Sequence, residues 1–214
     1  MKIALFVYEG FTALDIVGPY EVLAALPNAD IVFVGEQRGP VTAHTQRLTL
    51  NADAAIDEVP EADILVIPGG PGQRNLMRDG PLHDWIRQID TGSKWTTSVC
   101  TGSLILAATG LLKGRTATSH WLALEELRRY DVTPTLERVV FQDKYVTAAG
   151  VSSGIDMALA LAARVADETT AQRIQLAIEY DPQPPFNAGS PTKAPANIVE
   201  DLRARSRFLL ESNA

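Results

Sequence analysis

Two kinds of pattern alternate along the chain. Residues 3–7 and 62–67 are short, nearly unbroken apolar runs, ended by Tyr8-Glu9-Gly10 and by Pro68-Gly69-Gly70-Pro71-Gly72. Strands covered on both faces of a parallel sheet read this way. Residues 31–34 predict a further strand, 40–43 with 47–50 a short strand pair, 94–99 a central strand and 115–119 another. Residues 137–141 and 145–149 predict a hairpin around Gln142-Asp143-Lys144. Helical spacing fills the gaps between them. Val22, Leu23 and Leu26 form a stripe behind Pro19, which reads as a first-turn proline. Leu82, Trp85, Ile86 and Ile89 share one face of a helix over 81–89, leaving His83 and Asp84 to solvent. Further helices are predicted at 101–108, through Leu122, Leu124 and Leu127, at 155–165, from Asp167-Glu168 to Tyr180, and at 196–210. The proline-rich stretch at about 181–195 suits neither a helix nor a central strand and predicts an extended crossing. Strands alternating with helices over residues 1–214, with no linker, predict one doubly wound, mostly parallel α/β sheet of the flavodoxin-like kind, with helices on both faces.

Composition narrows the partners. A formal net charge of -7 in 214 residues, with 21% charged and 46% hydrophobic positions, argues against a nucleic-acid surface and for a small uncharged or cationic ligand. The N-terminal apolar run is too short for a signal peptide, and the longest apolar stretch, 157–163, falls well short of the ~20 residues a membrane span requires. The expected location is cytoplasmic, with no membrane partner. One cysteine makes no internal disulfide, and no second histidine or cysteine stands at metal spacing from His44, so a loop histidine and no metal site are expected.

That cysteine, Cys100, sits where the strand at 94–99 turns into the helix at 101–108. A thiol on such a turn faces unpaired N–H groups and the helix macrodipole, which favour thiolate over thiol and suit a nucleophile. A buried cysteine acting as core filler reads the same way from its neighbours alone. Asp15, between Leu14 and Ile16, is either a helix cap or a desolvated general acid or base. The glycines after residues 62–67 are either a tight connection or donors of backbone N–H to developing charge, Gly70 above all. His120 follows a predicted strand end, as Cys100 does, and is either a core histidine or a wall of the same crevice.

Taken together, Leu14-Asp15-Ile16-Val17-Gly18-Pro19, Ile67-Pro68-Gly69-Gly70, Ser98-Val99-Cys100-Thr101-Gly102-Ser103, Thr118-Ser119-His120-Trp121 and the segment from Glu179 to Pro191 resemble the ThiJ/PfpI superfamily of class I glutamine-amidotransferase-like folds. Within it they are most similar to the branch that hydrates isocyanides. The protease and glyoxalase-like branches commonly place a histidine directly after the nucleophile. Here Thr101 stands there, which makes peptide hydrolysis unexpected. The redox-responsive branch keeps a glutamate near the cysteine, whose place Asp15 takes with a shorter arm. Regulators that share the Leu-Asp-x-x-Gly-Pro and His-Trp signatures carry a DNA-binding domain after this fold, and this chain stops at Ala214, so direct DNA binding is not expected.

The resemblance implies an enzyme that adds water to an organic isocyanide to give an N-substituted formamide through a covalent cysteine thioimidate. It implies Cys100 as nucleophile and Asp15 as general acid/base. Thr101 would orient either of them, and the N–H groups of Gly70 and Thr101 would hold developing charge. Gly69, Ile16, His120, Gly150 and Val151 would line the pocket. No cofactor or metal is implied, and a homodimer is. The alternatives are a glyoxalase-like enzyme using the same thiol and a redox- or stress-responsive protein without hydratase activity.

Overall fold

The computed structural model describes residues 1–206. Its strands are β1 (Lys2–Phe6), β2 (Asp30–Gly35), β3 (Gly39–Thr42), β4 (Thr49–Ala52), β5 (Ala54–Ala55), β6 (Ile64–Ile67), β7 (Trp95–Val99), β8 (Thr116–Ala117), β9 (Thr133–Pro134), β10 (Val139–Gln142) and β11 (Tyr145–Ala148). Its α-helices are α1 (Ala13–Leu23), α2 (Pro81–Gly92), α3 (Gly102–Ala108), α4 (Ser153–Val165), α5 (Glu168–Ala177) and α6 (Ala196–Ala204). Seven strands form the main sheet in the order β10-β11-β7-β6-β1-β2-β5. Every pairing in it is parallel except that of β10 with β11. The chain starts in the middle of the sheet and winds outward both ways, so β1, β6 and β7 stand side by side with their carboxyl ends on one edge. This is the doubly wound α/β fold that the alternation of patterns predicts.

The central strands are apolar on both faces because helices cover both. Ile3, Leu5, Phe6, Ile64, Leu65 and Ile67 are fully buried. The proline in α1 departs from expectation. Pro19 lies inside the helix, not in its first turn, because α1 starts at Ala13 after an extended Thr12 (φ -86°, ψ 116°). It therefore offers no N–H to the carbonyl of Asp15 one turn back. Its ring packs against Gly154 of α4, where a Cβ would stand 3.1 Å from Pro19 Cγ.

Several elements differ from the sequence reading. His83 is buried, not solvated, because its Nε2 meets the carbonyl of Leu76 at 2.7 Å and draws the ring under the preceding loop. The strand expected at 115–119 shrinks to β8, which pairs only with β9 in a separate two-stranded sheet. The place beside β7 is taken by β11, to which Thr118 is tied by its N–H to Thr147 Oγ1 at 2.9 Å. The amphipathic helix through Leu124 and Leu127 is a 3₁₀ helix, Leu124–Tyr130. The helix expected at 196–210 ends at Ala204, and its last positions, 207–210, lie outside the described residues. Residues 181–195 form an irregular crossing between α5 and α6, pinned at its far end by a turn in which Ala194 N–H reaches Ser190 O at 2.9 Å. Among the described residues no helix is long and apolar enough to cross a membrane.

Candidate active site

Cys100 occupies the bend between β7 and α3 with φ +59°, a left-handed conformation that a side-chain-bearing residue adopts only under constraint. The constraint is visible. Its N–H goes to the carbonyls of Ala148 and Ala149 at the end of β11, at 3.0 and 2.9 Å. Its own carbonyl takes the hydroxyls of Ser103 (3.1 Å) and Ser119 (3.0 Å). Glycines permit the close approach from the other side. A Cβ on Gly102 would run into Ile67 O, and one on Gly69 would stand 2.7 Å from Thr101 Oγ1 and 2.9 Å from Cys100 Cβ.

Asp15 comes to this bend from the first turn of α1. It does not cap the helix. Its Oδ2 accepts the N–H of Gly69 at 2.9 Å, in the loop after β6, while Oδ1 is buried without a hydrogen bond of ordinary geometry. The side chain is wholly buried and interacts with the neighbouring Cys100 thiol. Burial pushes the Asp15 carboxyl up to about 7, against the opposing pull of the Gly69 N–H and of the thiol.

The thiol departs from the expectation of a thiolate. The N–H groups of Thr101 and Val151 both reach the sulfur and favour its ionised form. Burial outweighs them, and the neighbouring Asp15 charge adds to the effect of burial, so Cys100 titrates well above an ordinary thiol. α3 is only seven residues long, which limits the help its dipole gives. The resting pair at neutral pH is thus a thiol beside a carboxyl poised to gain or lose a proton.

The remaining predicted residues divide. Thr101 is fully buried, and its hydroxyl accepts the N–H of Gly70 at 3.0 Å instead of meeting Asp15 or the thiol. That bond occupies the Gly70 N–H, the expected donor to developing charge. Val151 supplies a sulfur-facing N–H in its place, from a backbone with φ +33°, an outlier for a β-branched residue. Gly69 and Ile16 are buried beneath the site and do not line the adjoining cavity. His120, Gly150 and Val151 do. The His120 ring packs on Gly150, where a Cβ would stand 2.7 Å from Cδ2, and burial lowers His120 to about 4, so it is neutral above that pH.

The cavity measures about 730 Å³. Its lining includes Thr118–Ser119–His120 and Ala149–Gly150–Val151, the segments bonded to Cys100 through Ser119, Ala149 and Val151. Its walls include Leu14, Trp121 and Leu136, with Phe186 and Lys193 from the proline-rich crossing. Sequence reasoning missed Ser119, Leu136, Phe186 and the sulfur-facing role of Val151. The run Ala149-Gly150-Val151 directly after a strand end was the available signal.

Comparison with known proteins bears on the family and the fold of the chain. The DJ-1/PfpI family model matches residues 1–164. A curated protein of Pseudomonas putida named isonitrile hydratase is 39% identical over 206 residues, covering 96% of this chain and 90% of that protein. A crystal structure of a ThiJ/PfpI family protein from Pseudomonas syringae superposes with a TM-score of 0.92 at 38% identity, covering 95% of this chain and 85% of that one. Drosophila melanogaster DJ-1beta shares the fold, with a TM-score of 0.74 at 19% identity over 83% of this chain and 97% of that one.

Proposed function

The chain belongs to the DJ-1/PfpI family, and on that premise we propose that it is an isocyanide hydratase acting through Cys100 and Asp15. The observation that carries the reading is the Asp15–Cys100 pair, a thiol whose proton partner is a buried carboxyl near neutrality, in a chain where Thr101 stands in place of a histidine.

An isocyanide carbon accepts both a nucleophile and a proton. In the first step the S–H bond of Cys100 breaks, its proton passes to the Asp15 carboxylate, and sulfur bonds to the isocyanide carbon. Asp15 then gives that proton to the same carbon, leaving the thioimidate R–N=CH–S–Cys100. Water adds next. Asp15 takes one of its protons as oxygen bonds to carbon, and passes that proton to nitrogen, giving R–NH–CH(OH)–S–Cys100. Collapse breaks the C–S bond and returns the hydroxyl proton to sulfur by way of Asp15. The sum is R–NC plus water to R–NH–CHO, with no redox change. Asp15 Oδ1, which makes no ordinary hydrogen bond among the described residues, is the oxygen left to carry the proton. The N–H groups of Thr101 and Val151 stabilise sulfur as charge moves through it.

Ser119, Ala149 and Val151, which bond to Cys100, also line the cavity. A cavity of about 730 Å³ leaves room for a bulky substituent. A buried, protonated thiol is a poor redox sensor, since oxidation to sulfenate and sulfinate needs thiolate and access. We take the working protein to be a cytoplasmic homodimer of single-domain chains.

The test is a spectrophotometric assay with para-nitrophenyl isocyanide, run beside methylglyoxal. The expected result is the N-aryl formamide, an enzyme adduct of substrate mass on Cys100, and no turnover by Cys100→Ala. Methylglyoxal consumption without formamide, or full activity in Cys100→Ala, would overturn the assignment.

A further inference from the structure

Tyr8 follows β1 and is buried, with its ring stacked on Phe6 at 5.7 Å between centroids. Its hydroxyl donates to the carbonyl of Pro68 at 3.2 Å. That carbonyl belongs to the Pro68–Gly69 peptide, and the N–H of the same peptide is the one that donates to Asp15 Oδ2 at 2.9 Å. One planar unit is therefore held at both poles, by a phenol at its oxygen and by the carboxylate at its nitrogen. The next peptide, Gly69–Gly70, is fastened separately, by Thr12 N–H at Gly69 O (2.8 Å) and by its own Gly70 N–H to Thr101 Oγ1 (3.0 Å).

We infer that Tyr8 is a positioning residue for Asp15, acting through the Pro68–Gly69 peptide to aim the Gly69 N–H at the carboxylate and to strengthen it as a donor. A hydrogen bond accepted at a carbonyl draws density from the amide and makes its N–H more positive, and the low-dielectric surroundings preserve the effect. The ionisable groups coupled to Asp15 are Cys100 and Tyr8 themselves. Burial, with the charges of Asp15 and Cys100, raises Tyr8 far above an ordinary phenol, so it keeps its proton and acts only as a donor. Phenylalanine would fill the same space and keep the stacking on Phe6, so packing alone does not call for the hydroxyl.

The role of Asp15 as the hydratase's proton carrier rests on the reading above, but its poise is measurable without turnover. Difference infrared spectra over a pH series, with the protonated-carboxyl band assigned by its loss in Asp15→Asn, should give a midpoint near 7 in the wild type. Tyr8→Phe should raise that midpoint by on the order of 0.5 pH unit. Fluorotyrosine at position 8, a stronger donor of the same shape, should lower it, and it keeps the test decisive if Tyr8→Phe does not fold. With phenyl isocyanide, Tyr8→Phe should lose kcat below the midpoint, keep KM and approach wild-type rates at alkaline pH. A midpoint that stays put with fluorotyrosine, or with a folded Tyr8→Phe, overturns the inference. A midpoint that moves in a protein that hydrates no isocyanide leaves the Tyr8 role standing and refutes the hydratase.

Discussion

Gly69 and Asp15, 54 positions apart in the chain, are joined by a single buried hydrogen bond of 2.9 Å from backbone N–H to Oδ2. Among the described residues it is the one ordinary hydrogen bond the Asp15 side chain makes, and it leaves Oδ1 buried on a carboxyl that neighbours the Cys100 thiol. A carboxyl tied at one oxygen and free at the other is fixed in place yet able to exchange a proton. The proposed chemistry depends on that combination.

Asp15→Asn keeps the shape of the carboxyl and removes its proton chemistry. Turnover of an aryl isocyanide should fall at least about 100-fold, the lower end of what acid/base catalysis contributes. In the wild type kcat/KM should rise as pH climbs through about 7, where Asp15 loses its proton and becomes able to accept that of the thiol. The residual activity of Asp15→Asn should lack this limb. A retained limb in the variant would move the base to another group.

Stability carries the same signature with an opposite sign on two residues. Asp15 is raised from 3.8 to about 7, so its contribution is complete below 3.8 and is lost as pH rises to about 7, a change on the order of 4 kcal/mol. His120 is lowered from 6.5 to about 4, so its contribution is complete above 6.5 and is lost as pH falls to about 4. The two slopes oppose each other in the wild type. Urea unfolding of Asp15→Asn relative to wild type should show the variant gaining as pH rises from about 4 to about 7, and His120→Gln should show its gain as pH falls from 6.5 to about 4. Parallel curves would show that neither group is perturbed.

The glycines at the elbow should tolerate no side chain. Gly69→Ala and Gly102→Ala force a Cβ onto Thr101 and onto Ile67 O, and should cost about 1–3 kcal/mol each as overpacking. Gly92→Ala, with nothing within 4 Å of the new methyl group, is the control and should be neutral or stabilising. Thermal melts distinguish the two classes.

The described residues lining the cavity include Arg138 and Lys193 and no carboxylate. Arg138 is already engaged by Asp156, an ion pair that leaves Lys193, among the described residues, as the available cation on that wall. A para-isocyanobenzoate should therefore be preferred to the neutral phenyl isocyanide. Lys193→Gln should lower its kcat/KM by roughly fivefold, within the range of exposed ion pairs, and leave the neutral substrate unchanged. An equal loss on both substrates would place the role of Lys193 elsewhere than in charge pairing.

The sequence by itself determined the alternation of strands and helices and the elbow at Cys100. Both follow from local spacing: two-faced apolar strands need covering helices, and a small-residue strand end running into Gly102-Ser103-Leu104 has to turn. It also marked Asp15, because a carboxylate between Leu14 and Ile16 is costly unless used. What only the tertiary structure decided is which groups meet. Pattern did not reveal that β11 would take the place beside β7 and confine β8 to a separate pair, because strand order depends on competition between distant segments. Nor did it reveal that Thr101 would occupy the Gly70 N–H and pass the sulfur to Val151. The protonation of Cys100 was decided the same way. A helix start favours thiolate, but burial is a property of the whole packed sheet, and here burial together with Asp15 outweighs the helix.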